Sequence, residues 1–191
     1  QKGLTSSATV FIALVCVAAV LGTVSASVGY SATREDWELA LLLAAAAAFA
    51  QLFVVRTPQT NQSYHLTPGL IVAAAILLPP PLIAFVVVCQ HVPEWIKARY
   101  AWVIQTFNIP NYTVAGLLAW LTFEGVSELP FERPGGGEAR FFVAGVAAAF
   151  VFVVVQHSLL AVVLRFARGH SFAQSGLFTF RSMSMDFVLA T

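Results

Sequence analysis

The feature that most constrains this chain is a series of long apolar runs that carry no charge. The first run, residues 8–30, holds 23 consecutive residues without Asp, Glu, Lys or Arg. Over all 191 residues, charged residues make up 10% and hydrophobic residues 59%, whereas a soluble domain averages about 25% charged residues. A single globular core cannot bury this apolar excess, and disorder requires a high charge content. The sequence therefore predicts an integral membrane protein.

The apolar runs divide the chain into helices, because a membrane-spanning helix needs roughly 20 mostly apolar residues. We expect an all-α polytopic transmembrane bundle that forms one domain over residues 1–191. The predicted membrane helices are 8–30, 37–55, 68–78, 82–92, 102–123 and 141–164, and a seventh starts at residue 183. Only nine residues of that helix are present, which predicts a fragment of a longer protein. A short helix at the membrane interface is the alternative.

A run of three prolines, Pro79 to Pro81, decides the predicted topology. Residues 68–92 form either one kinked span or two short helices that fold back at the prolines, which cannot continue a helix. Basic residues concentrate in cytoplasmic loops. A fold-back places seven of the ten basic residues on one side and seven of the nine acidic residues on the other, whereas a single span splits the basic residues four to six. We therefore expect a cytoplasmic N-terminus and a short helical hairpin, whose arms either extend into flanking residues to span the membrane or turn back inside the bilayer.

Polar side chains within the apolar helices are candidate site residues, because such groups are costly inside a bilayer. Gln105, Asn108 and Asn111 recur every three residues, which predicts a polar stripe on one helix face. Hydrogen bonding between helices and the lining of a small-ligand cavity both account for such a stripe. The full set of predicted ligand-binding residues is Gln90, His91, Gln105, Asn108, Asn111, Gln156 and His157.

Other classes of site find little support in the residues. His91 and His157 are the only histidines within the apolar runs, and no third ligand accompanies them, so we predict no metal or cofactor. Cys16 and Cys89 both lie in apolar runs and do not suggest a disulfide. No nucleophile with a base is evident, and a net charge of +1 gives no basic field for nucleic acid. Asp186 is interpreted as a charge at the membrane interface or in the first turn of a helix.

Three segments resemble a known class of membrane protein. They are the hairpin at 70–88, the span entry at 107–126 with Phe107-Asn108, and the basic exit at 154–176. In this order they resemble the multi-span sensor regions that precede GGDEF diguanylate cyclase or HD-GYP phosphodiesterase domains in bacteria. The organisation is also similar to the S-components of vitamin-uptake transporters.

The sensor resemblance implies a function, a location and a partner. It implies a signal-input domain in the bacterial inner membrane that binds a small or lipophilic ligand, forms a homodimer, and controls a cyclic-di-GMP enzyme encoded beyond Thr191. The 191 residues carry no catalytic signature of their own. An S-component-like substrate-capture subunit and a structural subunit of a larger membrane complex are the alternatives.

Overall fold

The computed structural model describes residues 4–56, 63–65, 67–99, 101–130, 136–169 and 171–191. Within these ranges the fold is helical, apart from one antiparallel pair of three-residue strands. The elements in chain order are α1 (Ser6–Ser27), α2 (Arg34–Gln51), β1 (Val54–Arg56), β2 (Ser63–His65), α3 (Thr67–Leu77), α4 (Pro80–Ala98), α5 (Trp102–Ser127), α6 (Gly136–Arg168), α7 (Phe172–Ser175) and α8 (Phe180–Ala190). The predicted all-α class is confirmed.

The proline run is a hairpin, as the charge distribution predicts. Thr67 begins α3 and Gln90 lies ten residues into α4, yet both donate a 3.1 Å hydrogen bond to the same acceptor, Oε1 of Gln51. In one continuous helix these two residues would lie about 35 Å apart at 1.5 Å per residue. Helices α3 and α4 therefore run antiparallel, and the chain reverses at Leu78 and Pro79.

The second arm of the hairpin is longer than the sequence predicts. We expected it to end at residue 92, but α4 continues through Pro93 to Ala98 and ends where Arg99 adopts a left-handed conformation, with φ of 48°. Proline removes one backbone donor, so a single helical hydrogen bond is lost while the surrounding turns remain. The arm thus has 19 residues, or about 28 Å, whereas α3 has only 11 residues.

Contacts between helices give the direction of each. The rings of Phe123 and Phe141 lie 5.4 Å apart, and those of Tyr112 and Phe152 lie 5.8 Å apart. The later residue of α5 thus contacts the earlier residue of α6, and the earlier residue of α5 contacts the later one. These two helices are therefore antiparallel. Contacts of the same kind make α1 parallel to α5, α2 parallel to α4, and α4 antiparallel to α5. Together with the hairpin, they show that helices α1 to α6 alternate in direction.

The core depends on small side chains that allow close helix packing. Ala40, Ala44 and Ala47 are buried on the face of α2 that meets α4. A Cβ on Gly116 of α5 would lie 3.0 Å from Cγ2 of Ile83 in α4. Small residues at such positions are typical of helix pairs packed in lipid, where van der Waals contact drives association.

Two helices in the described ranges are long and apolar enough to cross a membrane. They are Ser6–Ser27 and Gly137–Arg168, with mean hydropathies of 2.4 and 2.3. By length and composition they suggest membrane association. The other predicted spans do not combine the same length and hydropathy, and α3 is too short to cross a hydrocarbon core about 30 Å thick. The six-span arrangement therefore stays a prediction.

Candidate ligand-binding groove

A groove of about 720 Å³ lies between α1, α4 and α5. Its size falls within the roughly 300–1,000 Å³ of typical small-molecule sites. The walls are mostly apolar and include Ala19 and Val20 of α1, Val88 and Val92 of α4, and Ile109 of α5. Val20 and Val88 are 62% and 44% exposed, so the groove opens to the side, between helices.

The groove is elongated along the helix axes. It follows α5 from Trp102 to Thr113, a length of about 16 Å at 1.5 Å per residue. Trp95 of α4 also lies on the wall near Trp102, and Ala84 lies on the part of α4 nearest the proline turn. The two exposed indole rings therefore mark one end of the groove, and small or hydroxyl-bearing residues mark the other.

Gln105 is the one buried lining side chain whose polar atoms have no hydrogen-bond partner in the described part of the chain. Its side chain is 5% exposed, and neither Oε1 nor Nε2 makes a hydrogen bond. The neighbouring hydroxyls are satisfied locally, since Thr106 donates to the carbonyl of Trp102 and Thr113 to that of Ile109. A buried amide with neither bond costs free energy, so the groove holds a polar group that a ligand can satisfy.

His91 also lines the groove, from α4. It is 1% exposed, its Nδ1 lies 2.9 Å from the carbonyl oxygen of Val87, and its ring packs edge-on against Tyr112 at 5.1 Å between centroids. These contacts fix the orientation of the imidazole. His91 and Gln105 are the two predicted site residues that the structure brings together at the groove.

Gln90 belongs to a different cluster, which is centred on Gln51. Oε1 of Gln51 accepts from Thr67 and from Gln90, and its Nε2 donates to Oε2 of Glu94 at 2.6 Å. Gln51, Thr67 and Gln90 are buried. This cluster ties the end of α2 to both arms of the hairpin, so Gln90 has a structural contact rather than a place at the groove. The sequence marks Gln51 as a polar residue late in an apolar run, but the predicted ligand-binding set does not include it.

The predicted stripe at 105, 108 and 111 does not face a single site. Asn111 is 1% exposed, with no hydrogen bond to its Oδ1 within the described ranges, and Asn108 is half-buried. Neither residue lines the groove. Each step of three residues turns the helix by about 300°, so Gln105 and Asn111 point in directions roughly 120° apart.

His157 contacts the last helix rather than the groove. Its Nε2 lies 3.0 Å from Oδ2 of Asp186 in α8, and its Nδ1 lies 3.0 Å from the carbonyl oxygen of Val153. Helix α8 begins at Phe180 and has no acidic residue in its first turn, so the predicted position of Asp186 at the start of a helix is wrong. Gln156, beside His157, is half-buried and does not line the groove.

Neither a metal-binding cluster nor a known relative indicates what this groove does. Within the described ranges, no group of three or more His, Cys, Asp and Glu side chains lies close enough together to hold a metal ion. The chain matches no protein-family model, no curated protein and no solved structure. The function is therefore argued from the groove and from the helices that surround it.

Proposed function

We propose that this chain is a membrane-embedded signal-input domain that binds a small or lipophilic ligand among its helices. Helices α1 to α6 alternate across the inner membrane of a bacterium, with the N-terminus in the cytoplasm, and α8 begins a seventh membrane helix. The domain regulates an enzyme that makes or degrades cyclic di-GMP. The observation that carries the proposal is the side-opening groove between α1, α4 and α5, which contains a buried, unpartnered amide.

Apolar side chains on the outer surface support the membrane location. Val10, Leu14, Val17 and Leu21 of α1 are all more than half exposed. An apolar patch of this kind is unfavourable in water and rare on soluble monomers. In a bilayer, the same side chains contact lipid tails.

The charges at the two ends of the bundle support the proposed orientation. The end that holds the start of α1 and the end of α6 carries six described basic residues, and the opposite end carries two. The first set is Arg56, Lys97, Arg99, Arg165, Arg168 and Arg181, and the second is Arg34 and Arg140. An excess of Lys and Arg is typical of cytoplasmic loops, which supports the proposed cytoplasmic position of the N-terminal end.

The path from ligand to output runs through α5, α6 and α8. The groove is partly formed by α5, which packs along the length of α6. The contact of His157 with Asp186 then joins α6 to α8. A ligand shifts this assembly only to the extent that it binds one helix arrangement better than another. The position of α8 is the proposed output.

Topology is tested by cysteine labelling in spheroplasts. Cys16 and Cys89 are replaced by alanine, and single cysteines are introduced as Ser31→Cys or Ala101→Cys, both at exposed positions. We expect a membrane-impermeant maleimide to label Ser31→Cys in intact spheroplasts and Ala101→Cys only after permeabilisation. Labelling of both residues in intact spheroplasts contradicts the proposed membrane arrangement.

Signalling is tested by measuring cyclic di-GMP in cells that express the full-length gene product. We expect its level to differ from that of an empty-vector strain, and Asp186→Asn to alter that difference at equal membrane abundance. Glu138→Gln is the matched control, because Glu138 is exposed at the opposite end of the bundle. An unchanged cyclic-di-GMP level in all strains refutes the signalling function and leaves a capture or structural subunit as the explanation.

A further inference from the structure

We infer that the groove binds the acyl chain of a lipid whose uncharged head group both donates and accepts hydrogen bonds, with Gln105 as its polar contact. This inference deepens the proposed function and rests on its membrane location. It identifies the chemical class of the ligand, which the signalling proposal leaves open.

The length and the lining of the groove fit an acyl chain. The groove follows α5 for about 16 Å, and its accessible lining surface is mostly apolar. An elongated apolar groove of this kind favours an extended hydrocarbon chain, because burial of apolar surface contributes roughly 25 cal/mol per Å².

The amide of Gln105 specifies the head group. Oε1 of Gln105 needs a donor and Nε2 needs an acceptor, and in the described chain neither atom has one. An amide or hydroxyl head group supplies both, whereas an ester supplies an acceptor only. The lining contains no Asp, Glu, Lys or Arg among the described residues, so nothing there compensates the desolvation of a charged head group.

The position of Gln105 fits a lipid that enters from the bilayer. Gln105 lies one helical turn from Trp102, and Trp102 and Trp95 are 71% and 47% exposed at the same end of the groove. Exposed tryptophans are typical of the membrane–water interface. The head group of a bound lipid therefore stays near the depth it has in the membrane, and its chain points toward the bilayer centre. The exposed Val20 and Val88 form the side opening through which it enters.

The test uses the full chain in phosphatidylcholine nanodiscs and a photoreactive probe. The probe is dodecanamide with a mid-chain diazirine, and labelled peptides are mapped by mass spectrometry. We expect labelling to concentrate on peptides from α1, α4 and α5. Unlabelled dodecanamide should compete about tenfold better than methyl dodecanoate, since the ester leaves one buried amide atom of Gln105 unpaired. Dodecylphosphocholine, which carries charges, should compete no better than the ester.

Two variants, each with a matched control, separate the head-group contact from general membrane partitioning. Gln105→Leu should bind both compounds equally, whereas Thr122→Val, which removes an exposed hydroxyl on the same helix, should keep the preference. Val88→Phe adds bulk at an exposed wall position and should abolish labelling of the groove. Leu21→Phe adds bulk to the outer surface of α1, outside the lining, and should leave labelling intact.

Three results overturn the inference: uniform labelling of all outer helix surfaces, a retained amide preference in Gln105→Leu, or strong competition by dodecylphosphocholine. Because Val88→Phe alters an exposed position, it tests the groove even where Gln105→Leu does not fold. Failure of the lipid site and failure of signalling are distinguishable. Groove labelling with an unchanged cyclic-di-GMP level refutes signalling alone, and a cyclic-di-GMP response without groove labelling refutes the lipid site alone.

Discussion

Replacement of Gln51 by leucine should loosen the proline hairpin by a calculable amount. Gln51 accepts two hydrogen bonds, from Thr67 and Gln90, and donates one to the carboxylate of Glu94. A neutral hydrogen bond contributes about 1 kcal/mol and one to a charged group about 1.5–3 kcal/mol, while interhelical bonds in membranes average about 0.6 kcal/mol. Gln51→Leu should therefore lower the free energy of unfolding by roughly 2–4 kcal/mol.

The prediction has a second part: the effect of Thr67→Val on stability should change sign when Gln51 is replaced by leucine. In the native protein, Thr67→Val removes a hydroxyl that donates to Gln51, so it should destabilise the fold by about 1 kcal/mol. In the Gln51→Leu background, the buried hydroxyl of Thr67 has lost its acceptor. Thr67→Val should then stabilise the variant, because it replaces an unpaired buried polar group with a methyl group of similar shape.

The assay is reversible unfolding in mixed micelles, with sodium dodecyl sulfate as denaturant and circular dichroism as the readout. Thr122→Val serves as the control for Thr67→Val, because the hydroxyl of Thr122 is exposed and donates within its own helix, to the carbonyl of Leu118. Two results would refute the reasoning. One is a loss below about 1 kcal/mol for Gln51→Leu, the value of a single neutral bond, and the other is an additive effect of the two substitutions.

Two further predictions concern the docking of α8 and the start of α2. Gly69→Ala places a Cβ 2.6 Å from the carbonyl oxygen of Leu189 and should raise hydrogen exchange across α8. Gly125→Ala, with nothing within 4 Å of its Cβ, should leave that exchange unchanged. Equal exchange in both variants would contradict the contact between Gly69 and Leu189. The backbone N–H of Thr33, and then its hydroxyl, donate to Asp36 and hold the pKa of that carboxyl below its ordinary value. The stabilisation that these hydrogen bonds give is present above the unfolded-state pKa of Asp36 and is lost as the pH falls through its folded-state pKa. The unfolding midpoint should therefore fall on acidification, and less steeply in Asp36→Asn. Parallel pH profiles for the two proteins would exclude the effect.

The helical hairpin could be predicted from the sequence because two independent signals agree there. Three prolines end a helix through their missing donors and fixed φ, and the basic residues fall on one side only when the chain reverses. The hydrogen bonds of Thr67 and Gln90 to Gln51 confirm that reversal. The predicted end of the second arm, at residue 92, is six residues too early, because α4 continues through Pro93 to Ala98.

The candidate site could be predicted only in part. Gln105 and His91 were selected because they are polar residues in apolar helices, and both line the groove. The same rule selected Gln90 and His157, which instead contact Gln51 and Asp186. Polarity within an apolar helix indicates that a side chain needs a partner, but it does not distinguish a ligand from another helix.

The sequence by itself determined that this chain is helical and rich in apolar surface, and that it folds back at Pro79. Those properties depend on composition, on charge distribution and on the backbone chemistry of proline. None of these depends on which helices pack against one another. The tertiary structure alone decided that α1 joins α4 and α5 in forming a groove and that the amide of Gln105 faces it. Helical periodicity fixes the face of a residue on its own helix, whereas the rotation of that helix and the choice of its neighbours follow from the packing of all the helices together.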